Sequence, residues 1–290
     1  MIIVGGPASN GIDENLAKLL NAEHIKVEHK LFPDGESYIR VPYNVSNKEV
    51  AIVQSTYPPQ DKHLIELLLM IEAVKNMNAA KIIAIVPYLA YARQDRRFKE
   101  GEALSIKTIL STLSHTGADT LVVVEPHRAD ALNYFHGDVI IIDPTPAIAN
   151  YLKGIVKSPF ILAPDRGALD RARRLAERLN AEYNYLEKFR DRETGKVEIR
   201  NIPQMDLNDK EVIIIDDIIS TGGTVLEAVN VVRKFNVKRI IVVAAHALLV
   251  GDSYTKLKSA GVDMLITTNS VPTYKDVITV DISSLIAEKL

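Results

Sequence analysis

From one end of the chain to the other, short apolar runs rich in β-branched residues alternate with longer stretches where apolar residues recur every three or four positions. The runs predict strands at 1–4, 50–55, 81–86, 120–125, 139–143, 160–163, 211–216, 239–245 and 264–268. Several are apolar without a break, as a strand covered on both faces of a parallel sheet must be. The clearest helix is predicted at 61–78, where Leu64, Leu67, Leu68, Ile71 and Val74 fall on one face. Strand and helix in alternation over the whole length give an α/β protein with largely parallel sheets.

Two segments break that rhythm. Pro33-Asp34-Gly35-Glu36 lies between extended segments 24–31 and 37–41 and reads as a hairpin turn. A second ribbon is predicted from 183–189 and 197–200, joined by the charged tip 190–196, which is expected to be mobile. The chain also repeats itself: Glu72-Ala73-Val74 followed by Lys81-Ile82-Ile83 is echoed by Glu227-Ala228-Val229 followed by Lys238-Arg239-Ile240-Ile241. Two related halves are therefore expected, meeting near 143–146.

Composition narrows the chemistry. The 290 residues suffice for two domains, and 47% hydrophobic content supports a packed core in each. With 35 basic and 37 acidic residues the formal charge is -2, which asks for neither nucleic acid nor an anionic membrane as partner. There is no cysteine, so disulfides, thiol catalysis and cysteine-held metals are excluded. The chain opens on MIIVGG without a basic segment and long apolar core, and its apolar runs are shorter than the roughly 18 to 20 residues of a membrane span, so a cytoplasmic protein is expected.

One stretch carries distinct chemistry. VIIIDDIISTGGTV, residues 212–225, sets Asp216 and Asp217 at the end of an expected strand and follows them with Ser220-Thr221-Gly222-Gly223-Thr224 before an expected helix at 225–235. Glycines let backbone N–H groups approach an anion, the helix N-terminus adds partial positive charge, and hydroxyls donate further hydrogen bonds. An ordinary helix cap would account for one hydroxyl but not for paired acids at the carboxyl end of a strand, where α/β sheets bind ligands. Neither a Gly-Lys-Ser/Thr loop nor a Gly-x-Gly-x-x-Gly loop is present in this stretch. Carboxylates beside a phosphate loop suit a sugar phosphate.

Two acids followed by Thr-Gly-Gly-Thr resemble the phosphoribosyl-pyrophosphate motif shared by type I phosphoribosyltransferases and ribose-phosphate pyrophosphokinases. Phe32-Pro33-Asp34-Gly35-Glu36, Arg93-Gln94-Asp95-Arg96-Arg97, His127, Ala163-Pro164-Asp165-Arg166-Gly167 and Lys188-Phe189-Arg190 fall in the order and spacing of the pyrophosphokinases. The resemblance covers nearly the whole length. It implies two tandem type I phosphoribosyltransferase-like domains, 1–143 and 144–290, each a mainly parallel sheet flanked by helices, with the last helix packing back on the first domain.

The residues alone leave several of these segments open. An aromatic residue and acids on a hairpin tip suit an adenine ring, but on the residues alone a solvated turn is the preferred explanation. Arginines after a strand bind polyphosphate or simply begin a solvated helix. A histidine and a carboxylate at strand ends can hold magnesium with phosphate and water filling the other positions. The resemblance implies choices among these. It places Phe32, Asp34, Gly35, Glu36, Arg93 and Gln94 on ATP, and His127 and Asp165 on Mg2+. Asp216, Asp217, Ser220, Thr221, Gly222, Gly223, Thr224 and Arg190 go to ribose 5-phosphate, and Lys188 and Arg190 to the charge that develops during transfer.

The implied reaction moves the β,γ-diphosphate of ATP to the anomeric hydroxyl of ribose 5-phosphate, and a homo-oligomer is implied because the adenine hairpin of this family commonly works across a subunit contact. No side chain stands out as a general base. The remaining histidines are read as core or surface residues, and the arginines of 171–179 as a solvated face. Glu125-Pro126-His127, Gly167-Ala168 and Ser220 depart from the commoner bacterial pattern and point to a divergent, archaeal-type branch, with allosteric control by phosphate or ADP in doubt. The rival readings are a phosphoribosyltransferase using the same loop, and a non-catalytic regulator on the same fold.

Overall fold

In a computed structural model the described residues are 1–190, 197–201 and 205–290, with the side chains of 188–190 and 197–201 outside that description. The chain divides into two compact units: Met1–Asp143 with Asn269–Pro272 and Asp281–Leu290, and Pro144–Thr268 with Thr273–Val280.

The first unit runs β1 (Ile2–Gly5), α1 (Ile12–Leu19), β2 (Glu23–Lys26), β3 (Glu28–Leu31), β4 (Ser37–Arg40), β5 (Glu49–Val53), α2 (Gln60–Asn76), β6 (Lys81–Val86), α3 (Ser105–Thr116), β7 (Thr120–Val124) and β8 (Asp138–Ile142). Six of these strands form a parallel sheet in the order β2-β1-β5-β6-β7-β8, and β3 pairs with β4 as a separate antiparallel hairpin.

The second unit runs α4 (Thr145–Lys153), β9 (Pro159–Ala163), α5 (Leu169–Leu179), β10 (Glu182–Tyr185), β11 (Glu187–Arg190), β12 (Val197–Asn201), β13 (Glu211–Ile219), α6 (Gly223–Val232), β14 (Arg239–Ala247), α7 (Ser253–Ser259), β15 (Met264–Thr268) and β16 (Ile278–Val280). Its parallel sheet has the order β10-β9-β13-β14-β15-β16, with β11 and β12 as the antiparallel pair. Counted along each sheet, the two orders are the same. The repeat seen in the sequence therefore marks α2 with β6 and α6 with β14, which hold equivalent places. A last helix, α8 (Ser283–Ala287), packs on α1 in the first unit, where Asn15 Nδ2 donates to Asp281 Oδ2 (2.7 Å) and Asn10 Nδ2 to the Asn269 carbonyl (2.8 Å).

Both sheets are covered on both faces, which explains the unbroken apolar strands. On β13, Val212 and Ile214 join one core cluster while Ile213 and Ile215 join another. Each such fully buried aliphatic side chain contributes roughly 1.5–3 kcal/mol relative to exposure.

Three expectations need correction. The extended segment 24–31 is two strands, broken at the buried Val27, whose N–H donates to the Gly5 carbonyl (3.2 Å). The segment 183–189 breaks the same way at the buried Leu186, whose N–H donates to the Ala163 carbonyl (3.1 Å). In each case one apolar residue pins the chain to the first strand of its sheet, and the next strand lifts off into the hairpin. Third, β13 does not end at the acids but continues through Asp216 and Asp217 to Ile219, because β14 is equally long and keeps pairing as far as Ala247.

Candidate active site

In the second unit the chain passes from β9 outward to the edge strand β10 and returns to β13 on the other side of β9. The loops after β9 and β13 therefore leave in opposite directions and open a crevice at the carboxyl ends of the strands, the usual ligand position in such sheets. Asp165 stands at the end of β9, where the Gly167 N–H donates to its Oδ1 (2.8 Å). Asp216 and Asp217 stand on the adjoining β13. Backbone donors hold both carboxylates: the Asp217 N–H reaches Asp216 Oδ1 (2.9 Å), and the Ile218 N–H reaches Asp217 Oδ1 (2.9 Å). Burial first, and then the charge of Asp217, push the Asp216 carboxyl well above the usual carboxylate range, with Arg171 opposing them.

Arg171 is a residue the sequence reading missed. The solvated face expected of this helix fits Arg173, paired with Asp170 and Glu177 in the open. Arg171 instead turns inward from α5, its side chain 13% exposed, with Nη2 3.4 Å from Asp217 Oδ2 and Nη1 donating to the Gly167 carbonyl (3.3 Å). It thus joins the Asp165 loop to the acid pair. Its helical phase two positions from the exposed Arg173 was the one available signal.

Beyond the acids, residues 220–224 lead into α6. Gly222 takes a left-handed conformation (φ +76°) at the N-cap, with no side chain capping the helix, so the helix presents its N-terminal backbone donors and partial positive charge. A Cβ on Gly223 would meet nothing within 4 Å. The turn is anchored from behind, where Leu249 and Val250 donate to the carbonyls of Ile219 and Ser220 (both 3.0 Å).

In the first unit, Arg93 and Gln94 lie in the loop after β6, not on a helix start as one reading allowed. Glu102 organises that loop: its Oε2 accepts from the N–H groups of Phe98 (2.7 Å) and Lys99 (3.1 Å), which hold its carboxyl below the ordinary value. Gln94 Nε2 donates to the Arg96 carbonyl (3.1 Å), while Arg93 is exposed. His127, also exposed, follows the neighbouring β7 after Glu125, whose φ of +37° is a strained value for a non-glycine residue. An ion pair between Arg128 and Asp95 (3.1 Å) brings the two loops together.

The hairpin tip stands apart from these groups. It follows β2, and β1 and β5 lie between β2 and β6 in the sheet. Gly35 has φ +97°, Asp34 Oδ1 accepts from the Glu36 N–H (3.2 Å), and Phe32 is 42% exposed, with Lys30 Nζ 5.6 Å from its ring centre. The expected groups thus form three clusters: Asp165 with 216–224, Arg93 and Gln94 with His127, and the tip alone. Lys188 and Arg190 belong to β11, but their side chains, and the tip at 191–196, lie outside the described residues.

The two halves of the chain resemble two known families. Residues 1–117 match the family described as the N-terminal domain of ribose phosphate pyrophosphokinase, and residues 142–282 match the phosphoribosyl transferase domain. The chain is 56% identical to the ribose-phosphate pyrophosphokinase of Sulfurisphaera tokodaii and 55% identical to that of Saccharolobus solfataricus, each over the full length of both chains. The chain belongs to the ribose-phosphate pyrophosphokinase family. A crystal structure of phosphoribosylpyrophosphate synthetase from Mycobacterium smegmatis superposes with a TM-score of 0.88 at 27% identity, covering 99% of this chain and 96% of that one.

Within this pyrophosphokinase fold the donor chemistry fits magnesium. Among the described residues no three His, Asp or Glu side chains converge as a cage, and magnesium does not need one, since it commonly keeps several waters and takes one or two carboxylates plus substrate phosphates. Asp165 is half-exposed at a strand end, and the Asp216 carboxyl, raised by burial and then by its neighbour's charge, is the kind of group that a divalent cation relieves. Among the described residues no helix is long and apolar enough to cross a membrane.

Proposed function

We propose that this chain transfers the β,γ-diphosphate of ATP to the C1 hydroxyl of ribose 5-phosphate, giving 5-phosphoribosyl 1-pyrophosphate and AMP for nucleotide biosynthesis. One observation carries the reading: a chain with pyrophosphokinase relatives along its whole length places an acid pair and an uncapped helix N-terminus at the switch point of its second sheet. The sugar phosphate fits there. Asp216 and Asp217 accept hydrogen bonds from the ribose hydroxyls, and the backbone and hydroxyls of Ser220, Thr221, Gly222, Gly223 and Thr224 donate to the 5-phosphate.

In the first unit Arg93 and Gln94 take the polyphosphate, and the hairpin tip takes adenine, with Phe32 against the ring and Asp34 and Glu36 as acceptors. The separation of the tip from Arg93 within one sheet favours its serving a second copy of the chain, hence a homo-oligomer. His127 and Asp165 are the residues that would hold Mg2+, which when bound neutralises triphosphate charge. In the transfer, the C1 oxygen forms a bond to the β-phosphorus as its proton passes to solvent, and the bond from that phosphorus to the oxygen it shares with the α-phosphorus breaks, leaving AMP. The side chains mainly position the two substrates in line, and Lys188 and Arg190 offset the charge on the transferring group. Such an enzyme works in the cytoplasm, where both substrates are found.

A phosphoribosyltransferase would need only the second unit, so the full-length likeness of the first unit to the pyrophosphokinases weighs against it. The test is to incubate the protein with ATP, magnesium and ribose 5-phosphate and follow the phosphorus resonances. AMP and phosphoribosyl pyrophosphate should appear together; ADP, or no turnover, sinks the reading.

A further inference from the structure

The first unit buries an acid that the reaction above does not use. Glu66 lies on α2 with its side chain 0% exposed. Ser37 Oγ donates to its Oε1 (3.0 Å) and Gln54 Nε2 to its Oε2 (3.2 Å). His29 Nε2 stands 2.9 Å from Oε1 but off the line of a hydrogen bond, and Lys62 Nζ lies 3.7 Å away on the preceding turn. His29 is on β3 and Ser37 on β4, the two strands of the hairpin that carries Phe32, Asp34 and Glu36.

That hairpin needs a hold. Its strands are four residues each and largely exposed or half-buried, and an isolated two-stranded ribbon is marginal in water. Val27 fixes the root and Ile39 packs on the core, but apolar contacts are non-directional. The Glu66 carboxylate supplies direction. Its far side is fixed to the scaffold: Gln54 Nε2 also donates to the His63 carbonyl (3.3 Å), and Gln54 Oε1 accepts from the Ala8 N–H (2.8 Å). A Cβ on Gly6 would come within 2.3 Å of that oxygen, so the glutamine occupies space that only a glycine at position 6 leaves open. A leucine at 66 would fill the space without the cost of burying a carboxylate, but it would not define the angle of the hairpin.

We propose that Glu66 is a positioning residue for ATP: through Ser37 and His29 it sets the hairpin so that Phe32, Asp34 and Glu36 stand where the adenine ring arrives. The proposal rests on the reading of the tip as the adenine contact. Glu66→Gln keeps the volume and removes the charge, and should raise KM for ATP about tenfold, the scale of one charge-assisted hydrogen bond. kcat and KM for ribose 5-phosphate should stay within about twofold, a split that general loosening of the fold would not give. Ser37→Ala takes one donor from Glu66 at a half-buried position of the hairpin and decides the matter if Glu66→Gln does not fold; it should raise KM for ATP about threefold, and Ser37→Thr, which keeps the hydroxyl, should restore it.

Unchanged KM for ATP in folded Glu66→Gln and Ser37→Ala, or equal rises for both substrates, overturns the proposal. Phe32→Ala separates the two layers. If it raises KM for ATP while the Glu66 and Ser37 variants do not, only the positioning role is discarded; if it leaves KM for ATP unchanged, the reading of the tip falls, and the proposal with it.

Discussion

The two units share a strand order and part company at one turn. Glu49 opposes Lys81 at the start of the β5–β6 pair as Glu211 opposes Arg239 at the start of the β13–β14 pair, so Gln54 and Ser55 hold the places of Asp216 and Asp217. In the first unit the polar groups of this turn are consumed by the chain. Gln54 bonds to Ala8 and Glu66, Ser55 Oγ donates to the Ser270 carbonyl (2.6 Å), and Thr56 Oγ1 donates to the Tyr88 carbonyl and accepts from the Ala90 N–H (both 2.8 Å). All three are buried, and Pro59, which has no N–H, stands at the N-cap of the following helix. In the second unit the same turn carries two carboxylates, half-exposed hydroxyls and a left-handed glycine before an uncapped helix. One scaffold thus gives a structural joint where its polar groups face each other, and the candidate ligand site where they face the crevice.

The contrast is most easily broken at the acids. Asp217→Asn removes the charge that faces Arg171 and turns one of the two acceptor oxygens of the proposed sugar contact into a donor, so KM for ribose 5-phosphate should rise about a hundredfold or more, with KM for ATP nearly unchanged. Thr56→Val, one position beyond the equivalent pair in the first unit, should lower the melting temperature and leave KM for ribose 5-phosphate where it was. Steady-state kinetics and thermal melts on the two variants check this. A sugar-phosphate effect from Thr56→Val would show that the first unit's turn is not purely structural.

The glycines sharpen it by about a factor of ten. Gly222 needs its φ of +76°, so Gly222→Ala should cost about 1 kcal/mol of stability. Gly223 lies in the first turn of α6 with an ordinary φ and open space around it, so alanine there should leave the melting temperature unchanged or slightly raised. Its methyl would still occupy the approach of the phosphate, and KM for ribose 5-phosphate should rise about tenfold. An unaffected KM would mean that the phosphate does not come to that face.

The legible parts of this fold were those decided by neighbours in sequence. Unbroken apolar strands announced sheets covered on both faces, Pro33-Asp34-Gly35-Glu36 announced a hairpin, and Asp-Asp with Thr-Gly-Gly-Thr announced the crevice. What escaped was decided by partners far along the chain. Val27 and Leu186 looked like interior residues of single strands, and only their bonds to Gly5 and Ala163 reveal them as break points. β13 outran its expected end because β14 keeps pairing with it. Arg171 and Glu66 have the composition of surface helix residues, and a charge is seen to be buried only once Asp217 or Ser37 is placed against it.

The last and smallest effect separates the equivalent positions by pH. Asp216 has its carboxyl raised in the folded chain, by burial and by Asp217. Between the ordinary carboxylate value and that raised value, the folded chain keeps a proton that the unfolded chain has released. Stability is therefore fully present below the ordinary value and declines as pH climbs through the window. Ligand-free protein should melt at a lower temperature near pH 8 than near pH 5, and Asp216→Asn, which cannot ionise, should lose part of that slope. The first unit offers the natural reference: Gln54 in the same place carries no charge at either pH, and Gln54→Glu, which would set a second buried carboxylate against Glu66, should give the first unit a falling slope of its own. Parallel melting curves for wild type and Asp216→Asn would mean that the acid pair is relieved in the free protein, and that the second unit's turn is less distinct from the first than its residues imply.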